Sequence, residues 1–149
     1  MTEPKSVVPS GPFLAAALIC ERVLQEKDNV LSIVRVIDQL THTLVGPAMP
    51  DELPKISYNL TFYLAFKSGR ARGRQGVALV MEDPSGMRKR VFTQSIQLEG
   101  ENRGANLIVQ SNITFNLEGV YWFDVLLEDQ LLTRMPFKVM YQLVSSGVG

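Results

Sequence analysis

Apolar and polar residues alternate along most of the chain beyond about residue 12, and this two-residue period predicts strands rather than helices. The segment KISYNLTFYLAFK places Ile56, Tyr58, Leu60, Phe62, Leu64 and Phe66 on one side and Ser57, Asn59, Thr61, Tyr63 and Lys67 on the other. GVALVMEDPSGMRKRVFTQSIQL reads as a strand, an Asp-Pro-Ser-Gly turn and a second strand. ANLIVQSNITFNL alternates Leu107, Val109, Ser111, Ile113, Phe115 and Leu117. GVYWFDVLLEDQLLTRMPFKV alternates, halts at Glu128-Asp129-Gln130 and alternates again, which predicts a hairpin. Its inward residues are Tyr121, Phe123, Val125 and Leu127, then Phe137, Val139, Tyr141 and Leu143. Pro136 has no N–H to give to a ladder, so the last strand is expected to be an edge or to bulge there.

The stretch over residues 12–25, containing FLAAALICERVLQ, is ambiguous. Its alanines and the Ser10/Pro12 start suit a helix. The charged turn Glu26-Lys27-Asp28-Asn29 and the β-branched run VLSIVRVIDQL suit an opening hairpin, which is the reading favoured here. THTLVGPAMPDELPK, with three prolines, is the longest irregular segment and is expected to cross between sheets. Residues 1–11 read as a loose arm and 12–149 as one domain. Seven to eight short strands with almost no helix predict an all-β fold, an antiparallel β-sandwich.

A chain of 149 residues, 46% apolar, is long enough for one packed core. Fifteen basic and fifteen acidic residues cancel, so no global field draws in nucleic acid or an anionic membrane. One cysteine, Cys20, precludes an internal disulfide. The N-terminal apolar run, Phe13 to Cys20, is too short for a membrane span and lacks a signal peptide's flanks, so a cytoplasmic protein with no membrane partner is expected. The sequons at Asn59 and Asn112 fall inside predicted strands and read as coincidence.

Two resemblances bear on the fold. In the run from Asn112 to Val139, Leu117, Gly119, Tyr121, Phe123 and Val125 follow a pattern that resembles the last strands of immunoglobulin-like domains. Phe123 stands where an immunoglobulin cysteine would be. The N-terminal LICERVLQEKDNVLSIVRVIDQLT is similar to an uncharacterised group of bacterial β-sandwich domains. Cys20 to Val23, Ser32, Ile33, Ile37 and Asp38 carry that likeness. It implies the fold and a bacterial origin, and no activity.

Chemistry is sparse. His42 is the only histidine and Cys20 the only thiol, and no third group is positioned to orient an imidazole. No Gly-x-Ser-x-Gly elbow occurs, and KSGRARGRQG lacks the Gly-Lys-Ser/Thr ending of a phosphate loop. Asp51-Glu52, Glu82-Asp83 and Glu128-Asp129 read as solvated turn charge rather than a calcium site. No enzyme, cofactor or metal is therefore expected.

Two surfaces remain as candidates. Lys67, Arg70, Arg72 and Arg74 punctuate what reads as a Gly-containing loop, a candidate anion site. Arg88-Lys89-Arg90 is a second basic cluster. The strand between them spans ~26 Å at ~3.3 Å per residue, so the two form separate patches. Trp122, Asp124 and Leu126 face away from the predicted core and form a candidate interaction patch. The sequence thus leads to a non-enzymatic interaction module with a protein partner or a second copy; an anionic ligand or nucleic-acid phosphate on the Arg70–Arg74 stretch is the alternative.

Overall fold

The alternating apolar positions fold as strands throughout residues 10–145, the part of the chain that the computed structural model describes. Seven strands follow in order: β1 (Phe13–Gln25), β2 (Leu31–Val36), β3 (Gln39–Val45), β4 (Ile56–Glu82), β5 (Arg88–Phe115), β6 (Gly119–Leu127) and β7 (Gln130–Val144). Phe13–Gln25 is strand, pairing antiparallel with β4 over Phe13–Cys20 and with β2 over Cys20–Gln25. Apart from Ser10 and Gly11, the arm expected over residues 1–11 lies outside the described residues.

The expected loop at Lys67–Arg74 is strand. β4 and β5 form one bent hairpin, paired from Ile56↔Phe115 to Glu82↔Arg88. The first half of β4 also pairs with β1, and its second half pairs with β6. The hairpin therefore belongs to two layers. One layer is β2, β1, the first half of β4 and the second half of β5. The other is the first half of β5, the second half of β4, then β6, β7 and β3.

The bend is made by register shifts between Lys67 and Arg72. Leu60, Phe62, Leu64 and Phe66 point inward before it, and Val77 and Leu79 after it, so the inward positions change from even to odd. A bulge does this, since one extra residue turns every later side chain to the opposite side. Gly69 sits there at φ +58°, and a Cβ would collide with the Ser10 carbonyl oxygen and lie 2.8 Å from the Phe13 ring. Only glycine fits this crossing of strands.

The core fills the space between the layers. Phe62 of one layer meets Phe123 of the other with ring centroids 5.0 Å apart, and Phe115 meets Tyr121 at 4.9 Å and Phe137 at 5.6 Å. Each fully buried ring contributes about 1.5–3 kcal/mol relative to exposure. The inward sets of β6 and β7 match expectation: Phe123, Val125, Phe137 and Val139 are all fully buried. At the corner between β5 and β6, the Tyr121 hydroxyl donates to the Leu117 carbonyl at 2.9 Å and accepts from the Leu117 N–H at 3.0 Å. This is the tyrosine corner of immunoglobulin-like sandwiches. Burial raises the Tyr121 phenol pKa, which keeps the hydroxyl protonated to donate.

VLSIVRVIDQL is two strands rather than one. The Ile37 N–H donates to Ile19 in the first layer, while the Asp38 carbonyl accepts from Lys138 in the second, so the chain changes layers within two residues. β3 then runs parallel to β7, which makes the sandwich mixed rather than wholly antiparallel. β7 is accordingly no outer edge. Pro136 is nevertheless tolerated: β3 begins opposite Lys138, so the side of β7 from which Pro136 lacks an N–H has no partner there. Of the segment read as irregular, Thr41–Val45 is instead strand, paired with β7, and the remainder, 46–55, crosses from the second layer back to the first as expected. The Glu128–Asp129 turn has φ +48° and +64°, the geometry whose twist suits a two-residue hairpin. The Glu128 carboxylate holds it to the Gly76 N–H at 3.1 Å.

Candidate functional site

Trp122, Asp124 and Leu126, the candidate interaction patch, lie on the outer side of β6, where neighbouring strands partly cover them. Asp124 is only 3% exposed. Arg134, its cross-strand partner on β7, donates Nε–H to it at 2.7 Å, and Arg88 reaches it from β5 at 3.0 Å. Both guanidiniums also bind Glu82, at 2.9 and 3.1 Å. Four charges close into a ring over the sheet because β5, β4, β6 and β7 bring Arg88, Glu82, Asp124 and Arg134 onto one side. Hydrogen bonds from Arg134 and Arg88 hold the Glu82 carboxyl below its ordinary pKa. The same carboxylates, Asp124 first, raise both arginines. The Arg134 guanidinium lies 4.8 Å from the Trp122 ring centre and covers it. Trp122 and Leu126 are half-buried. Neighbours on the same sheet cover this patch, which the sequence pattern of one strand does not reveal.

The Lys67–Arg74 stretch is divided by the bend. Arg70 and Arg72 line a surface hollow of about 440 Å³ with Phe13, Gly69, Gly100 and Glu101, whereas Lys67 and Arg74 do not reach it. β5 places Glu101 opposite Gly69 and Glu99 opposite Arg72. Glu99 and Glu101 thus share this surface with the cations, although Glu99 is engaged by Arg103 at 3.0 Å and neither Arg70 nor Arg72 forms an ion pair among the described residues.

A third region comes from topology. β5 is hydrogen-bonded to β4 along both halves and to no other strand among the described residues, so one side of this 28-residue strand is open. Its two halves stack at the same flank of the sandwich, and a cleft of about 620 Å³ opens between them. Met81, Val91, Ile113 and Leu117 line the cleft with apolar surface, and Lys55, Lys89 and Arg90 stand around it. Asp83, the carboxylate at this cleft, accepts from the Ser85 N–H, the Ser85 hydroxyl and the Met87 N–H at 2.9, 2.6 and 3.0 Å. Those bonds, led by the Ser85 hydroxyl, lower its pKa. The Arg88-Lys89-Arg90 run was visible in sequence, but Lys55 and the apolar lining join it only through the stacking of the two halves of β5.

Cys20 and His42 are not brought together. Cys20 is buried against Thr61 in the first layer, where desolvation raises its thiol pKa. His42 lies on β3 in the second layer, edge-on to Tyr141 with centroids 5.9 Å apart. Among the described residues, no three His, Cys, Asp or Glu side chains gather as metal ligands. Among the described residues, no helix is long and apolar enough to cross a membrane.

The two layers, the hairpin shared between them and the tyrosine corner define an immunoglobulin-like β-sandwich. The chain belongs to a family of unknown function (DUF6941), matching it over residues 15–140. No curated protein matches it in sequence. Its fold is similar to part of a β-glucosidase from Listeria innocua in complex with glucose, at TM-score 0.50 and 8% identity, covering 72% of this chain and 15% of that one. It is similar at the same score and identity to an alkylpurine DNA glycosylase from Pseudomonas fluorescens bound to DNA containing an abasic site analog, covering 89% and 31% of the two chains. An immunoglobulin-like protein from Pseudomonas aeruginosa aligns over 87% of this chain and 96% of its own, with 13% identity and TM-score 0.36. The chain thus spans well under half of the first two proteins, and the likeness is one of fold.

Proposed function

We propose that this protein is a non-enzymatic interaction module that captures an extended segment of another polypeptide on the open side of β5. The observation that carries this reading is the single-sided pairing of a 28-residue strand. An open strand edge presents a row of N–H and C=O groups, and an added strand satisfies them without special side chains. A second copy and an unrelated partner are both compatible with main-chain pairing. The Trp122 side is the less suited surface, since docking there would have to displace Arg134 from the ring and from Asp124.

Proline scanning tests the reading. Gln94 and Ser95 are neighbours in a regular stretch of β5, paired with Val77 and Gly76. The N–H of one points to β4 and that of the other points outward. Proline at the outward position should leave the thermal midpoint nearly unchanged and abolish capture of partner from a host extract. Retained capture with that variant would refute edge pairing.

A further inference from the structure

We propose that the cleft between the two halves of β5 selects its partner, and that the partner is an acidic extended segment carrying an apolar anchor residue. This rests on the edge-pairing reading above and adds the chemistry of the captured chain.

Charge points to it first. Lys89 follows Arg88 on the second-layer half of β5, and its cross-strand neighbour is Met81, whose other neighbour is the buried Phe123. Lys89 therefore stands on the core side of the sheet, at the rim of the cleft. Lys55 precedes the Ile56↔Phe115 pair and so flanks the cleft from the first layer. Arg90 also borders the cleft, but it pairs with Val80 on the outer side of the sheet, and its guanidinium donates to the Thr93 hydroxyl at 3.1 Å. Among the described residues none of the three has a carboxylate within ion-pair distance, unlike Arg88, which serves Glu82 and Asp124. The one acid at the cleft spends an oxygen on its own turn. Two lysines, one from each layer, thus stand over an apolar floor, with Arg90 at its outer rim.

This arrangement does two things at once. Lysine pointing inward at an edge strand deters pairing with another copy, because the approaching edge carries the same cations. The same cations attract a strand that bears carboxylates, so rejection of self and choice of partner have one electrostatic origin. The apolar floor then rewards a partner that alternates acidic with aliphatic residues, since alternate side chains of an added strand point to the same side. A purely anionic ligand would leave that floor unused.

The experiment uses the full chain and fluorescent peptides that alternate either Glu or Lys with Val and Leu, with an oligothymidylate and an anionic phosphatidylserine vesicle as further probes. The Glu peptide should bind, with affinity falling as salt rises, and should slow amide exchange in Arg88–Phe92 and Ile113–Asn116. The Lys89→Glu/Arg90→Glu variant, altered at exposed positions, should lose binding by more than about tenfold and gain the Lys peptide. Circular dichroism and the thermal midpoint of the variant report that it folds. Equal binding of both peptides, undiminished binding by the charge-reversed variant, or preference for the oligonucleotide or the vesicle would overturn the proposal. If the Glu peptide fails while a host partner still protects β5, this inference falls and edge pairing stands. If nothing protects β5, both fall.

Discussion

The two outer faces of the sandwich obey the same two-residue period and are held together by different physics. On the second layer, the face bears Glu82, Arg88, Asp124 and Arg134 in a closed ring above Trp122. On the first layer, the paired outward positions of β2, β1, β4 and β5 include no carboxylate at all. Small and neutral groups stand there instead: Cys20, Thr61 and Ala65 are buried, and the Thr61 hydroxyl donates to the Glu21 carbonyl at 3.0 Å. Further along, Asn112 donates to Asn59 at 2.9 Å and Ser57 meets Thr114 at 3.1 Å. One face thus depends on charges that must all remain paired. The other depends on short neutral hydrogen bonds, none of which leaves a stranded charge when cut. The lesson is that a face with a buried carboxylate is fragile to single losses, whereas a neutral ladder degrades by small steps.

Removing both arginines should break this contrast most severely. Arg88→Ala/Arg134→Ala leaves Asp124 buried without a counterion, and urea unfolding should register a loss of about 3 kcal/mol. That is the lower end for an orphaned buried charge, because both guanidiniums are themselves part-exposed. A loss near zero would mean that water reaches Asp124 freely and that the ring is ornamental to stability. On the neutral face, Thr61→Val keeps the shape and deletes one part-buried hydrogen bond, so a loss of about 1 kcal/mol is expected by the same measurement. Asn112→Ala removes an exposed cross-strand pair and should cost only ~0.5 kcal/mol. Its effect should be insensitive to salt, while the two-arginine variant should narrow the gap to wild type as salt screens the ring.

The smallest effect is a pH signature. The Glu82 carboxyl is held below its ordinary value by Arg134 and Arg88, so the unfolded chain takes up the proton first as pH falls. Its contribution is complete above the unfolded carboxylate range, near pH ~4, and disappears as pH drops through the lower folded-state value. Stability against pH should therefore fall more steeply for wild type than for Glu82→Gln below that range. Parallel curves would show that the ring does not favour the ionised form of Glu82. Asp83, also lowered, is present in both proteins and cancels in the difference.

Much of the architecture was legible because it rests on local periodicity. The inward faces of β6 and β7 follow from alternation alone, and Leu117, Gly119 and Tyr121 mark a corner that the Tyr121 hydroxyl then closes. The Lys67–Arg74 stretch reads as a loop because its glycines and its change of inward parity look like an interruption. In the folded chain they are the means by which one strand passes between layers. The candidate sites were less legible still. Trp122 is outward, as its parity requires, but its cover comes from Arg134 on the next strand. The acidic residues beside Arg70 and Arg72, Glu99 and Glu101, enter only through pairing with β5.

The amino-acid sequence alone determined that this chain builds pleated layers, which side of each regular strand meets the core, and where its hairpins turn, because side-chain direction in a strand alternates residue by residue. Tertiary structure decided that two long strands serve both layers, that β3 lies parallel to β7, and which charges are opposed or left unpaired. Those outcomes depend on pairings between residues far apart in the chain, and Coulomb energy depends on distance in space rather than on separation in sequence.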